Sequence, residues 1–299
     1  MERPVVSVIE HPFSFSLLQP RSLPPRVGPG YQVILNASDD PRDWLVDITG
    51  VCVIDLETRG LQAWEPGNCI VGIGLAWSEG SIYIPISIYP TEICDWISQW
   101  LRNYSPGFIA HNVIFDGSWL WSTCGGTHPR WVACTYGLLY QLANEGFIGQ
   151  EYGLKWAQRH LLLWPQQGDV ELIDWLRSAG YVSASGTPQK GEMWRAPAEI
   201  LGKYCLLDVE STWALYQHIL HPVLCQFEEL EHYHSTYFLT LVRLLIEQTY
   251  HGVRVDVPRL QEYAASLRER LVEEHTKFLT HPEVADHIRE FHRDRKSTR

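Results

Sequence analysis

The 299-residue chain lacks the features that mark secreted and membrane-bound proteins. No apolar run is long enough to span a bilayer, and the N-terminus does not show the charged-then-apolar pattern of a secretory leader. The seven cysteines are an odd number with no close pairs, so the sequence predicts neither a disulfide framework nor a zinc site. We therefore expect a cytoplasmic protein without a membrane partner.

The chain also lacks an excess of basic residues. Its 24 lysines and arginines stand against 35 aspartates and glutamates, which gives a net charge of -11. This balance argues against a broad basic face that coats duplex DNA, but it allows an enzyme that grips only the end of a strand. Most of the 13 tryptophans are expected in the core, and a minority are available to stack on unpaired bases.

Apolar runs of strand length come first in the chain and then alternate with segments of helical spacing. This order predicts a mixed sheet with helices packed over it. From Gly153 onward the pattern is almost wholly helical, interrupted by a polar loop at 182–196. The expected strands are 31–36, 51–56, 69–77, 81–86, 108–110 and 132–134.

Two carboxylates stand at the carboxyl end of the second predicted strand. Asp55 and Glu57 are two positions apart, so the period of a strand directs both to one face. Carboxylates this close raise each other's pKa, and a divalent cation between them removes that cost. Oxygen ligands favour hard ions such as Mg²⁺ or Mn²⁺. Taken alone, the pair also fits a strand that runs out into an acidic, solvated loop.

Further acidic residues follow at helical spacing. Asn112 and Asp116 share one face of a helix if it begins after the strand at 108–110, and Tyr204 and Asp208 share a face of the predicted helix 197–220. The first pair also fits an aspartate that the dipole of a helix N-terminus stabilises, and Tyr204 also fits a core aromatic residue. Asp208 lies between apolar neighbours, where an aspartate needs a partner.

The order Asp-x-Glu, Asn-x-x-x-Asp, Tyr-x-x-x-Asp resembles the DEDD exonucleases with a tyrosine in the third motif. The resemblance covers about residues 31–220. It implies a ribonuclease H-like fold, an α/β architecture with a mixed five-stranded sheet flanked by helices. It also implies removal of nucleotides from DNA 3' ends by hydrolysis with two divalent ions, Mg²⁺ or Mn²⁺. The substrate would be a single-stranded or frayed DNA 3' end.

The resemblance also implies a role for each motif residue. Asp55, Glu57, Asp116 and Asp208 would hold the two metals, and Asp55 would bridge them. Tyr204 would orient the attacking water. Thr58, Leu61, Asn112 and Phe115 fall where the family contacts the terminal nucleotide.

Two segments resemble family A DNA polymerases in particular. His111-Asn112 with Phe115-Asp116 is similar to the second motif of their proofreading domains. The link His251 to Asp256 is similar to the connection into their thumb. This implies a polymerase domain or subunit as partner and a helical C-terminal extension. We expect a proline-rich arm at 1–30, an exonuclease domain at 31–222 and a thumb-like segment at 223–299.

Two other interpretations stay open at this point. A ribonuclease D-like 3' exoribonuclease shares all three motifs, although the thumb-like tail argues against it. A non-catalytic scaffold that keeps the fold and binds a polymerase or a primer end is the other, and the complete acidic set argues against that.

Overall fold

The computed structural model describes Leu18, Pro20 and Arg21 and residues 32–142, 152–164 and 168–284. The chain divides into two compact units, and the boundary in sequence falls between His251 and Gly252. The boundary predicted at 222/223 separates an exonuclease domain from a thumb-like segment, and that functional division stays a prediction.

A six-stranded mixed sheet forms the centre of the first unit. Its spatial order is β1-β4-β3-β2-β5-β6. Strand β3 is antiparallel to both of its neighbours, β4 and β2, and the other three strand pairs are parallel. The strands are β1 (Gln32–Ile34), β2 (Cys52–Arg59), β3 (Cys69–Ala76), β4 (Ser81–Pro85), β5 (Phe108–Ala110) and β6 (Trp131–Cys134). The mixed α/β architecture is confirmed. The six strands overlap the six segments predicted from the sequence, which is one strand more than the five-stranded sheet that the resemblance implies, because β1 also pairs with β4.

Helices cover both faces of the sheet. The helix Val113–Thr123 begins directly after β5, as the spacing of Asn112 and Asp116 requires, whereas the predicted helix 197–220 ends in a π-helical turn at Tyr216–Leu220. A second π-helical turn lies at Tyr233–Phe238. In the first unit the helices are α1 (Pro41–Leu45), α2 (Thr91–Asn103), α3 (Val113–Thr123), α4 (Thr135–Leu142), α5 (Leu154–His160), α6 (Gly168–Ser178), α7 (Ala198–Leu215), α8 (His221–Leu224), α9 (Glu228–His232) and α10 (Leu239–His251).

The two faces of β2 belong to two different hydrophobic cores. Cys52, Ile54 and Leu56 enter a core shared with helices α2, α3 and α10. Val53 enters the other core, shared with helices α4 to α7. Since side chains alternate along a strand, Asp55 follows Val53 onto this second face.

Helix α7 approaches the centre of the sheet closely because a glycine lies beneath it. Gly74 of β3 pairs with Asp55 of β2, and a Cβ atom at Gly74 would lie 2.5 Å from Cys205 Sγ and 3.0 Å from Val209 Cγ1. The missing side chain therefore allows the middle of α7 to pack against the end of β2 that carries the acidic pair.

The second unit contains one long helix, α11 (Val257–Thr280). Asp256 caps it by accepting a hydrogen bond from the Arg259 backbone N–H at 3.1 Å, and Pro258 lies in its first turn. The side chains of α11 are exposed or half-buried. Across the described part of the chain, no helix combines the length and apolarity that a bilayer span requires.

The proline-rich arm predicted at 1–30 lies largely outside the described residues. Leu18 is buried among the helices on the α7 side of the sheet. Arg21 donates its backbone N–H to the Leu161 carbonyl at 2.8 Å. These two contacts attach one point of the arm to the first unit.

Candidate carboxylate cleft

A cleft of about 440 Å³ opens at the carboxyl end of β2. Four segments form its wall: the end of β2 with the turn that follows it, helix α3, helix α7 and a 3-10 turn at Lys190–Arg195. Its lining residues are Asp55, Leu56, Glu57, Thr58, Gly60, Leu61, Phe115, Lys190, Gly191, Met193, Tyr204 and Asp208.

Asp55 and Glu57 point to the same side of β2, as their spacing predicts. One carboxylate oxygen from each lies with the Cys205 thiol in a group whose ligand atoms are all within 4.8 Å of one another. The Cys205 thiol donates to Asp55 Oδ2 at 3.6 Å. The strand register shifts between Glu57 and Thr58, so a bulge bends β2 where it meets the cleft.

Asp116 lies beneath this pair rather than in the cleft wall. It projects from the first turn of α3, is 1% exposed, and accepts the Leu56 backbone N–H at 3.1 Å through Oδ1. Asn112, the residue just before α3, has a left-handed φ of 67°, so the chain turns sharply from β5 into the helix. The motif-two aspartate is therefore held directly against the strand that carries motif one.

Helix α7 supplies Tyr204 and Asp208 one turn apart. Asp208 Oδ1 accepts hydrogen bonds from Lys155 Nζ at 2.6 Å and from Gln158 Nε2 at 3.2 Å, both from α5. Lys155 Nζ also lies 3.0 Å from Asp169 Oδ1 and 4.5 Å from the centre of the Tyr204 ring. One lysine therefore holds the carboxylate and the tyrosine of the third motif together.

Burial and mutual repulsion raise the pKa of every carboxyl in this group. Burial and the charge of Asp208 raise the pKa of Asp55 to about 7. Burial and the charge of Asp55 raise the pKa of both Glu57 and Asp116 well above the ordinary range. Burial also raises the pKa of Asp208, although Lys155 opposes that shift. The charge of Asp208 raises the pKa of the Tyr204 hydroxyl well above its usual value.

These residues fit a divalent metal. Buried carboxylates with raised pKa values are costly when ionised, and a dication among them relieves that cost. The donors at the cleft are carboxylate oxygens apart from the Cys205 thiol, whose pKa burial raises well above its ordinary value, so it stays protonated. A set of oxygen donors favours Mg²⁺ or Mn²⁺ over soft metals.

The structure brings together most of the residues predicted for the site. The cleft wall contains seven of the nine, Asp116 lies directly below it, and the exposed Asn112 is not part of the wall. Sequence reasoning missed Lys155, Gln158 and Asp169. Lys155 and Gln158 share a helical face, but nothing in the sequence shows that α5 lies beside α7.

Comparison with solved structures finds nucleases and a polymerase that are similar to this chain. The POL domain of Pol1 from M. smegmatis, solved with a DNA primer-template and dNTP, is 15% identical over 83% of this chain and 37% of its own, with a TM-score of 0.54. NrnC from Brucella melitensis bound to pGG is 18% identical over 73% and 90% of the two chains, with a TM-score of 0.46. The catalytic core of RRP6 from Trypanosoma brucei is 13% identical over 77% and 56%, with a TM-score of 0.46.

No protein-family model and no curated protein matches the chain. At these identities the solved structures establish the fold alone, a mixed α/β sheet with flanking helices that this chain shares with the Pol1 POL domain.

Proposed function

We propose that the chain is a metal-dependent 3'-5' exonuclease that removes nucleotides from single-stranded or frayed DNA 3' ends. One observation carries the proposal. Three acidic motifs, more than 50 residues apart in sequence, converge on one cleft, where burial and mutual charge raise the pKa of each carboxyl. A purely structural cluster would gain nothing from keeping four such groups together.

In the proposed reaction, Asp55, Glu57, Asp116 and Asp208 would hold two divalent ions. When bound, such ions activate water and stabilise the leaving oxygen in phosphodiester hydrolysis. Tyr204 would orient the attacking water through its hydroxyl, since its raised pKa makes it a poor base. Lys155 would fix both Asp208 and Tyr204 from the side of α5.

The nucleotide would be held by apolar and polar groups that line the same cleft. Leu61 is 78% exposed and Phe115 is half-buried, so both offer apolar surface to a base inside the cleft. Thr58, whose hydroxyl donates to the Gly60 carbonyl at 2.8 Å, would contact the terminal sugar and phosphate. Asn112, outside the wall, would reach the nucleotide from the start of α3.

The finer part of the proposal is a proofreading role beside a family A polymerase domain. The second-motif residues His111 to Asp116 and the fold shared with the Pol1 POL domain support it. Separating a strand end from its partner is cheapest when the last bases are mismatched, which would direct the activity to errors. A ribonuclease D-like preference for RNA is the alternative.

End-labelled single-stranded DNA and RNA of matched sequence would test the proposal. With Mg²⁺ we expect stepwise shortening from the 3' end, faster on DNA, and none in the presence of a chelator. Faster shortening of RNA would favour the ribonuclease D-like alternative. The absence of shortening on both substrates with Mg²⁺ and with Mn²⁺ would refute the exonuclease proposal.

A further inference from the structure

An acidic cleft in an acidic protein repels the strand that it is proposed to shorten. The net charge is -11, and three carboxylates line the cleft where the strand end would enter, with Asp116 directly beneath them. Metal ions neutralise the centre of such a site but not the path that leads to it. Proteins that bind single strands combine a positively charged groove along the backbone path with aromatic side chains and cation–π contacts from arginine.

Four residues at the edge of the cleft have this character, and we name them the rim cluster: Arg59, Lys190, Trp194 and Arg195. Lys190 is part of the cleft wall. Arg59 stands between two wall residues, Thr58 and Gly60, and Trp194 directly follows a third, Met193. The cluster therefore borders the cleft from both the β2 side and the 3-10 turn side.

Trp194 joins the two sides of the rim cluster. The Arg59 guanidinium carbon lies 4.8 Å from the centre of the Trp194 ring, and that of Arg195 lies 4.2 Å from the same ring. A guanidinium held on an aromatic face keeps its N–H groups at the ring edges available for a phosphate, and its side chain loses less freedom when a ligand binds.

The two arginines differ in what else they contact. Arg195 donates to Glu192 Oε2 at 2.6 Å, so a carboxylate already neutralises it. Within the described ranges, no carboxylate lies within ion-pair distance of Arg59, which is exposed. Lys190 is also exposed, and its Nζ lies 3.8 Å from Asp169 Oδ2. Arg59 is thus an oriented cation without an internal counter-ion at the edge of an acidic cleft.

We propose that the rim cluster binds backbone phosphates of a single-stranded polynucleotide, on the 5' side of the nucleotide that occupies the cleft. Arg59 makes the main contact, Lys190 adds a second charge, and Trp194 fixes the Arg59 guanidinium. The inference rests on the proposed function for its direction along the strand. The recognised group is the phosphate, which DNA and RNA share.

Binding can be measured without hydrolysis, so the result does not depend on exonuclease activity. The experiment follows the fluorescence anisotropy of labelled oligo-dT and oligo-U of about twelve nucleotides, in chelator, over a series of salt concentrations. Arg59→Gln should weaken binding of both oligomers roughly tenfold. It should also reduce the salt-dependence slope by about 0.7, the share of one phosphate contact on a single strand.

Two further variants separate phosphate binding from a purely structural clasp between β2 and the 3-10 turn. Arg59→Lys keeps the charge and should keep the salt slope, although it loses the stacked geometry. Arg102→Gln, an exposed arginine of α2 outside the cleft wall, should change neither affinity nor slope.

Several results would overturn the assignment. The first is a salt-dependence slope that does not change in Arg59→Gln. The second is a slope that falls by the same amount in Arg59→Lys and in Arg59→Gln. The third is a loss of affinity for only one of the two oligomers. If wild-type protein binds both oligomers with these properties but shortens neither when Mg²⁺ is added, the rim cluster stands and the proposed exonuclease function falls.

Discussion

The two faces of β2 put the same strand to different uses. One face sends Cys52, Ile54 and Leu56 into an apolar core. On the other face, Val53 packs in a second core, and the next two side chains on that face, Asp55 and Glu57, line the cleft beneath helix α7. The apolar face contributes stability through burial, whereas the acidic face costs stability unless ions compensate it. Substitutions on the two faces should therefore separate folding from activity.

The largest effect is expected from paired substitutions on neighbouring residues of β2. Asp55→Asn should reduce DNA shortening on the order of a thousandfold or more, because it removes a charge that faces the metal site, while the melting temperature stays equal or rises. Ile54→Ala should lower the free energy of unfolding by about 2–5 kcal/mol and leave the activity per folded molecule near that of the wild type. Shortening assays and urea unfolding measure the two effects.

An Asp55→Asn variant that still shortens DNA at the wild-type rate would remove this residue from the mechanism. An Ile54→Ala variant that is as stable as the wild type would show that the apolar face of β2 does not have the role assigned to it.

Gly74→Ala tests whether the close packing of α7 against β3 positions Tyr204 and Asp208 beside the acidic face. The new methyl group would lie 2.5 Å from Cys205 Sγ, so α7 must shift, and Tyr204 and Asp208 must shift with it. We expect at least a tenfold loss of shortening rate and about 1–3 kcal/mol of stability. As a control, Gly153→Ala meets no atom within 4 Å and should cost less than about 1 kcal/mol with unchanged activity. Equal behaviour of the two variants would contradict the close-packing argument.

A smaller effect should come from Tyr204→Phe. Losing the hydroxyl removes one contact to the attacking water but no metal ligand, so the rate should fall roughly tenfold while Mn²⁺ affinity is retained. Tyr140→Phe, at an exposed tyrosine outside the cleft wall, serves as the control. An unchanged rate in Tyr204→Phe would refute the role given to the hydroxyl.

The smallest expected effect is a pH dependence of stability in metal-free protein. The pKa of Asp55 rises from about 4 in the unfolded chain to about 7 in the fold. The folded protein therefore binds a proton at the Asp55 carboxyl more tightly than the unfolded chain does. This tighter binding adds stability in full below pH 4, and that stability is lost as the pH rises towards 7. Burial lowers the pKa of His111 and His234 to about 4, which acts in the opposite direction over much of the same range.

Subtracting the melting curve of Asp55→Asn from that of the wild type cancels the histidine contribution. The difference should show the wild type losing a few degrees relative to the variant between pH 4 and pH 7. Saturating Mg²⁺ should abolish this loss. A difference that does not change with pH would mean that Asp55 titrates in its ordinary range.

The apolar face was the easier of the two to predict from sequence. The alternation in β2 and the helical spacing in α3 define their own elements, so the sheet and the helices beside it follow from local patterns. Strand β1 falls within the predicted segment 31–36, but local patterns do not show that it pairs with β4 as the sixth strand of the sheet.

The acidic face could be predicted only in part. The motif spacings identified the carboxylates, because each pair lies on a single strand or helix. Lys155 and the rim cluster depend on contacts between distant segments, such as α5 with α7 and β2 with the 3-10 turn. The polar composition of 182–196 predicted a loop but gave no sign that Lys190 and Trp194 would border the cleft.

The central claim is that the carboxylates of the acidic face hold divalent ions. Titration of the metal-free protein with Mn²⁺, followed by electron paramagnetic resonance, tests it without a substrate. We expect saturable binding of two ions that Mg²⁺ displaces, with affinity at least about a hundredfold weaker in an Asp55→Asn, Glu57→Gln double variant. Wild-type protein without saturable binding, or a double variant that binds as tightly as the wild type, would contradict the account.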